Sequence, residues 1–379
     1  MNNSTRALMP DYLRLFALFG IVVVNVQSIA FSLQAEFFLP TLGSMADQIV
    51  FWLVNGLALM KSFSLFSFMF GVGLGFLMRA SEKRGLSFGK VYRNRMIGLL
   101  LLGFAHGFLF FPGDILVTYA VFGSVLYFMR NWSVKRLVWV GAIIILVQIL
   151  IVGPVTGYVA TFTYDPEFVM SPEILAHEKD VMINGTLRDV IAYRFATYVE
   201  FLPYILSAQG FLVLGWFSLG LAAVKSSIID NASHPLWVRA RRYCLVPGVA
   251  LSLIGAWQWQ WGDLVLGTGL TVSAAPISTF GYLGVIAALA RPPGPLMARA
   301  LAAGGNSLTV YLGQSIILST VFAGYGLGLW DDVGRFTAVA TAVLSTLALM
   351  IAVTFWTERF KLGPFEWVLR RFTYMGTSR

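Results

Sequence analysis

Residues 93–123, "RNRMIGLLLLGFAHGFLFFPGDILVTYAVFG", decide the fold. The stretch starts with two arginines, continues as an apolar run, breaks at Pro112 and Gly113, and becomes apolar again. An apolar run of this kind crosses a bilayer as a helix, because a helix satisfies its own backbone hydrogen bonds in lipid. Proline ends such a helix, since its ring removes a backbone donor. The stretch therefore predicts a helical hairpin within a membrane.

The composition extends this prediction to the whole chain of 379 residues. Hydrophobic residues make up 58% of it and charged residues only 12%, about half the charged share of a soluble domain. A water-soluble core could not bury so many apolar side chains, so we expect an integral membrane protein. The single cysteine, Cys244, excludes an internal disulfide and a thiolate metal cluster.

The hydropathy pattern predicts an all-α, polytopic membrane protein with about ten transmembrane helices, and strand-like alternation is absent. We expect residues 1–379 to form a single transmembrane helical domain. Segment 48–78 is too long for one upright span, so it is either a tilted helix or an interfacial helix over 48–59 that breaks near Lys61. The predicted spans are 13–33, 48–78, 96–111, 115–129, 137–158, 197–223, 244–262, 265–289, 305–328 and 336–356.

The charges between the spans predict the orientation. One set of connections is basic, including 79–95, 130–136, 225–242 and the tail 357–379. The other set carries acidic residues, namely Glu36, Asp47, Asp114, Asp165, Glu167, Glu173, Glu178, Asp180, Asp263, Asp331 and Asp332. Because basic loops stay in the cytoplasm, we expect both termini to be cytoplasmic, with 357–379 a cytoplasmic basic tail.

The same distribution of basic residues explains the net charge of +9 as a consequence of membrane orientation. It favours membrane lipids as partners over nucleic acid.

The same orientation makes segment 159–188 an extracytoplasmic loop, with a short helix that begins after Ser171. A loop of this length is either a lid or a passive connection. No metal site is predicted, because His177, Glu178 and Asp180 have no second histidine nearby.

Polar side chains within the spans form two groups. His106 is predicted inside the third span, with Asp114 at the following turn, where it could orient the imidazole if the chain folds back. Imidazole suits a general base or proton carrier, although a helix carbonyl and one neighbour would also satisfy a structural histidine. At a similar outer level we expect Asn25, Gln27 and Glu200 to line a pocket, although Asn25 could instead serve helix packing. The inner group is Asp11, Arg14, Arg93, Arg95, Asn306 and Gln314, and packing is an equal alternative for Asn306 and Gln314.

Five segments together resemble the YeiB-type family of bacterial inner-membrane proteins. They are "PDYLRLFALFGIVVVNV" (10–26), "KSFSLFSFMFGVGLGF" (61–76), residues 93–123, "GGNSLTVYLGQS" (304–315) and "GPFEW" (363–367). The resemblance implies a bacterial cytoplasmic membrane location and a relation to transmembrane acyltransferases. That group includes the lysosomal heparan glucosaminide acetyltransferase and bacterial cell-surface O-acyltransferases.

The resemblance implies a function that moves an acyl group across the membrane. Acetyl-CoA or another acyl-CoA would be the cytoplasmic donor substrate, and no firm cofactor is implied. The acceptor would be an extracytoplasmic small molecule, lipid or glycan, bound by Asn25, Gln27 and Glu200. Members often carry a catalytic histidine near the first span, where this chain has none.

We therefore expect His106 and Asp114 to be catalytic. Donor binding is expected at Asp11, Arg14, Arg93, Arg95, Asn306 and Gln314. A transporter or flippase for a small or lipid-linked molecule is the alternative, and a scaffold without a site is a third reading. The oligomeric state is left open, with a dimer among the options.

Overall fold

A computed structural model describes residues 8–32, 42–164 and 172–377, and these residues form helices and connections without any strand. The all-α prediction is confirmed. Glu36, Asp165, Glu167 and Ser171 lie outside the described residues. The helices are α1 Met9–Ile29, α2 Met45–Leu57, α3 Lys61–Lys83, α4 Phe88–Leu109, α5 Leu116–Met129, α6 Val134–Val147, α7 Gly153–Ala160, α8 Pro172–Asn184, α9 Leu187–Tyr204, α10 Gly210–Lys225, α11 Pro235–Trp261, α12 Leu264–Leu289, α13 Pro295–Gly304, α14 Ser307–Phe322, α15 Arg335–Phe360 and α16 Pro364–Thr373.

Six helical segments are long and apolar enough to cross a membrane. Two of them contain a π-helical turn, at 148–152 between α6 and α7 and at 205–209 between α9 and α10, so that each pair is one continuous helix. Helices α5 and α14 are apolar but shorter. The protein is therefore a membrane protein. The six segments are Met9–Ile29, Met45–Lys83, Val134–Ala160, Leu187–Lys225, Leu264–Leu289 and Arg335–Phe360.

The predicted segment 48–78 is two helices. Helix α2 begins with a capping box between Ser44 and Asp47, a common way to satisfy the free N–H groups at a helix start. Met60 has a φ of 63°, in the left-handed region, and this residue separates α2 from α3. Lys61 follows the break. Its side chain is fully buried and its Nζ donates to the Asn55 carbonyl at 3.2 Å.

The bundle has two chemically different ends. The basic face holds the α3–α4, α5–α6 and α10–α11 connections together with α16. Helix α16 packs on the start of α4, where Arg84 donates to the Tyr374 hydroxyl at 3.0 Å and Asn94 donates to the Met375 carbonyl at 2.9 Å. Tyr12 near the start of α1 donates to the Arg291 carbonyl at 3.1 Å. Arg14 of α1 and Leu369 of α16 line one cavity, so the two ends of the described chain lie at the same face.

The opposite, acidic face carries α8 and the α14–α15 connection. Lys179 pairs with Asp331 at 2.9 Å, and the Ser32 hydroxyl donates to Glu178 at 2.6 Å. Met182 is buried in an apolar cluster with Phe111 of the α4–α5 turn and Trp330 of the α14–α15 connection. Helix α8 is thus docked over the acidic end of the α4–α5 hairpin.

Candidate active site

The α4–α5 hairpin places His106 beside Asp114. Helix α4 ends at Leu109 and α5 begins at Leu116, so the intervening turn folds the chain back. His106 Nδ1 lies 2.7 Å from Asp114 Oδ1, and the Val117 N–H donates to Asp114 Oδ2 at 3.0 Å. Only 2% of His106 and none of Asp114 is exposed. The carboxylate is therefore held by both the imidazole and the backbone of the next helix.

Two glycines on either side of His106 make this approach feasible. A Cβ on Gly103 would lie 2.7 Å from the Val117 nitrogen and 2.9 Å from Asp114 Oδ2. A Cβ on Gly107 would lie 2.6 Å from the ring of Tyr198. Real Cβ atoms do not approach neighbours so closely, so the "GFAHG" stretch needs glycine at both positions.

The pairing determines which imidazole nitrogen is available for chemistry. With Asp114 ionised, Nδ1–H donates to the carboxylate, and Nε2 is then the basic nitrogen. His106 Nε2 is buried and has no hydrogen-bond partner among the described residues. Buried polar atoms are normally satisfied, so this nitrogen is suited to an incoming O–H or N–H group.

Aromatic rings enclose the imidazole. The ring centroid of Tyr311 lies 5.1 Å from that of His106, and the Phe111 centroid lies 6.3 Å away. Tyr198 packs against α4 at Gly107. The pair is therefore shielded from bulk water, which strengthens electrostatic interactions there.

A cavity on the basic side reaches this aromatic shell. Its volume is about 130 Å³, and Arg14, Arg95, Tyr119, Ser307 and Tyr311 are among the residues that line it. Asp11 lies 2.8 Å from Arg14 and orients that guanidinium. Tyr311 belongs both to the cavity wall and to the shell around His106. The structure thus joins two predicted donor residues, Arg14 and Arg95, to the predicted catalytic pair through one tyrosine.

Helix α16 forms part of this cavity. Leu369 contributes to its wall. The Glu366 carboxylate accepts hydrogen bonds from the Leu308 and Thr309 N–H groups, at 2.6 Å and 3.0 Å, at the start of α14. A carboxylate there satisfies the free N–H groups and the helix dipole. The last helix is therefore fixed to the cavity rim.

The other predicted donor residues lie elsewhere or have structural partners. Arg93 is exposed and lines a separate groove between α4 and α5. Asn306 accepts from the Gly363 N–H at 2.7 Å. Gln314 donates to the Thr346 hydroxyl at 3.0 Å. These contacts tie α14 to α15 and to the α15–α16 connection, and none of the three residues lines the cavity of Arg14 and Arg95.

The predicted acceptor residues are not brought together. Gln27 lines a small cavity of about 40 Å³ toward the acidic face, with Ser28, Asn55 and Arg335. Asn25 is half-buried on α1, and Glu200 is exposed on α9. None of the three contacts His106 in the structure.

Two buried arginines escaped the sequence analysis as site residues. Arg335 is 1% exposed, donates to Gln27 Oε1 at 2.5 Å, and lies over the Phe31 ring at 4.4 Å. Arg194 donates to the Leu109 carbonyl at 3.0 Å and to the Ser319 hydroxyl at 2.8 Å. Arg194 therefore lies one helical turn beyond His106 on the α4 side of the site. In the sequence, each of the two is an arginine inside or next to an apolar helix. A charged side chain there is unfavourable in free energy unless other groups form hydrogen bonds or ion pairs with it.

Within the described ranges, no three His, Cys, Asp or Glu side chains are grouped closely enough to hold a metal ion.

Comparisons with known proteins identify the relatives. The family described as "Protein of unknown function (DUF418)" matches residues 223–376. An uncharacterised protein of Bacillus subtilis, YxaH, is 28% identical, with 96% of this chain and 93% of the relative aligned. The uncharacterised Escherichia coli protein YeiB is 27% identical, with 96% and 95% aligned. The chain is similar to YxaH and YeiB over almost its whole length.

The alignments with YxaH and YeiB each cover 96% of this chain, so the α4–α5 hairpin lies within the aligned length. A third relative, an uncharacterised protein of Bacillus acidopullulyticus, is 24% identical over 96% of this chain and 92% of its own. No solved structure matches the chain. The names of these three relatives state no activity.

Proposed function

We propose that this protein is a transmembrane acyltransferase that takes an acyl group from a donor such as acetyl-CoA at the basic face and transfers it to an acceptor. The observation that carries the proposal is the arginine-lined cavity that ends on Tyr311, directly beside the buried His106–Asp114 pair.

The donor end of the proposal rests on Arg14 and Arg95. Guanidinium groups recognise phosphate oxygens by paired, charge-assisted hydrogen bonds, and acyl-CoA carries several phosphates. A volume of about 130 Å³ corresponds to only a few water molecules at roughly 30 Å³ each. The cavity therefore suits the narrow acyl end of the donor, with the nucleotide at the basic face.

The transfer step assigns one role to each member of the pair. His106 Nε2 removes the proton from an acceptor O–H or N–H, while Asp114 stabilises the resulting imidazolium. The acceptor atom attacks the thioester carbonyl, and the carbon–sulfur bond breaks. The leaving thiolate takes the proton from His106, which returns the site to its starting state.

The membrane arrangement completes the proposal. We place about ten spans in a bacterial cytoplasmic membrane, with both termini and the basic face in the cytoplasm. The distribution of lysine and arginine between the two faces supports this orientation. Helices α4, α5, α11 and α14 would supply the spans beyond the six long apolar segments.

The test is acyl transfer by the purified full chain. The wild-type protein should release free CoA from acetyl-CoA, and His106→Ala should lower this rate by about 10²- to 10⁴-fold. Arg95→Gln should raise the donor KM about tenfold with a smaller effect on kcat. His177→Ala is the matched control, because His177 is exposed on α8. Equal rates for the wild type and His106→Ala would exclude the catalytic assignment.

A transporter is the second candidate, favoured by separate cavities toward the two faces. Alternating access would join such cavities in turn. Uptake into proteoliposomes driven by a pH gradient, without CoA release, would select transport and exclude the acyltransferase.

A further inference from the structure

Another cavity is separate from the proposed site. It is a groove of about 420 Å³ between α4 and α5 near the basic face. Its lining residues recur every three to four positions on each helix, so the groove is one face of α4 against one face of α5. They are Gly89, Tyr92, Arg93, Met96, Ile97 and Leu100 on α4, and Ala120, Val121, Ser124, Tyr127 and Phe128 on α5.

The groove is concave because its floor is made of small side chains. Gly89, Ala120 and Ser124 lie between larger residues such as Leu100 and Phe128. Phe128 is 75% exposed, and Ile97 is 45% exposed. In a membrane this surface faces lipid, and an apolar concavity there accepts an acyl chain more closely than a flat helix face would.

The basic end of the groove carries unmatched positive charge. Arg93 is exposed, and the described structure gives it neither an ion pair nor a hydrogen bond. Arg130 lies beside the groove, with its guanidinium 3.9 Å from the Tyr127 ring centroid. No acidic residue lines the groove. Arg79 of the same face, by contrast, is already engaged, since it pairs with Asp230 at 2.9 Å.

We infer that this groove binds one anionic phospholipid from the leaflet at the basic face. The acyl chain would lie along Ile97, Leu100 and Val121, and the headgroup phosphate would pair with Arg93. Basic pockets between transmembrane helices are the usual recognition sites for anionic headgroups. The inference does not depend on the proposed transfer reaction. Tyr92 lines both the groove and the Arg14–Arg95 cavity, so the bound lipid shares a wall with that cavity.

The test is lipid retention by the purified full chain, measured by native mass spectrometry. Phosphatidylglycerol and phosphatidylethanolamine with identical acyl chains are offered separately. The wild-type protein should retain one phosphatidylglycerol about fivefold more strongly than phosphatidylethanolamine. Arg93→Gln should remove this preference, and Ser124→Phe should lower retention of both lipids by filling the floor. Arg136→Gln is the matched control, an exposed arginine of the same face outside the groove.

Three results would overturn the inference. Equal retention of the two lipids by the wild-type protein would show that charge plays no part. An equal loss in Arg136→Gln and Arg93→Gln would assign the preference to the whole basic face. Disulfide cross-linking between two copies through Ser124→Cys in native membranes, in a Cys244→Ser background, would show that a second copy covers the groove. Melting temperatures within a few degrees of the wild-type value are required of each variant.

Discussion

At the residue scale, the proposed function makes Asp114 determine which nitrogen of His106 acts as the base. An asparagine fits the same space, but its amide can donate to Nδ1 and so favour the tautomer with the proton on Nε2. We expect Asp114→Asn to lower kcat for CoA release by about 10²- to 10⁴-fold and to leave the donor KM nearly unchanged. Asp263→Asn, at the exposed start of α12, should retain full activity. A rise in KM with kcat unchanged would instead make Asp114 a binding residue.

Gly103 gives a prediction about stability at the same scale. Its missing Cβ leaves room for Asp114 Oδ2 and the Val117 nitrogen, so Gly103→Ala should destabilise the protein by about 1–3 kcal/mol. Gly73→Ala has no atom within 4 Å of the new Cβ, and alanine is the better helix former. Thermal melting in one detergent should show a lower transition temperature for the first variant alone. Equal melting of the two variants would mean that the hairpin adjusts without cost.

At the element scale, α8 is held by a buried carboxyl group. Burial raises the pKa of Glu178, and Asp331 adds to the rise, whereas hydrogen bonds with Ser32 and Tyr193 oppose it. A raised pKa means that the docked helix holds the proton more tightly than the released helix does. The contribution to docking is therefore complete below about pH 4, the ordinary glutamate range, and is lost as the pH rises through the raised value.

Hydrogen exchange across α8, corrected for the intrinsic exchange rate, measures this effect. Opening of α8 in the wild-type protein should increase as the pH rises from the ordinary glutamate range through the raised pKa of Glu178, and Glu178→Gln should make it independent of pH. Glu173→Gln, on the exposed side of α8, should behave as the wild type. Opening that rises equally in all three proteins would exclude Glu178 as the group responsible.

At the scale of the whole molecule, the orientation can be tested directly. In a Cys244→Ser background, Lys135→Cys lies at the basic face and Glu173→Cys at the acidic face, and both positions are exposed. A membrane-impermeant maleimide should label Glu173→Cys in intact cells and label Lys135→Cys only after lysis. The reverse pattern would place the Arg14–Arg95 cavity outside and remove the cytoplasmic donor from the proposed function.

Much of this architecture could be predicted from local sequence, because the hydropathy and the proline breaks that define a helix depend on a few neighbouring residues. The His106–Asp114 pairing was also within reach, since only a short turn separates the two residues. The contacts of Arg335 and Arg194 were not, because their partners come from α1, α14 and distant connections. The same limit applies to Asn306 and Gln314, which were predicted to bind the donor. Their hydrogen-bond partners, Gly363 and Thr346, lie on later segments, so the neighbouring sequence does not reveal these contacts.

The attachment of α16 to the cavity rim also determines when the cavity is completed during synthesis of the chain. Leu369 and Glu366 are synthesised after all six long apolar segments, and they supply a wall of the cavity and the cap on α14. A chain arrested after α15 would insert all its long apolar helices yet lack a finished cavity. A premature stop codon between α15 and α16 would therefore leave the six long apolar segments in place and the cavity incomplete.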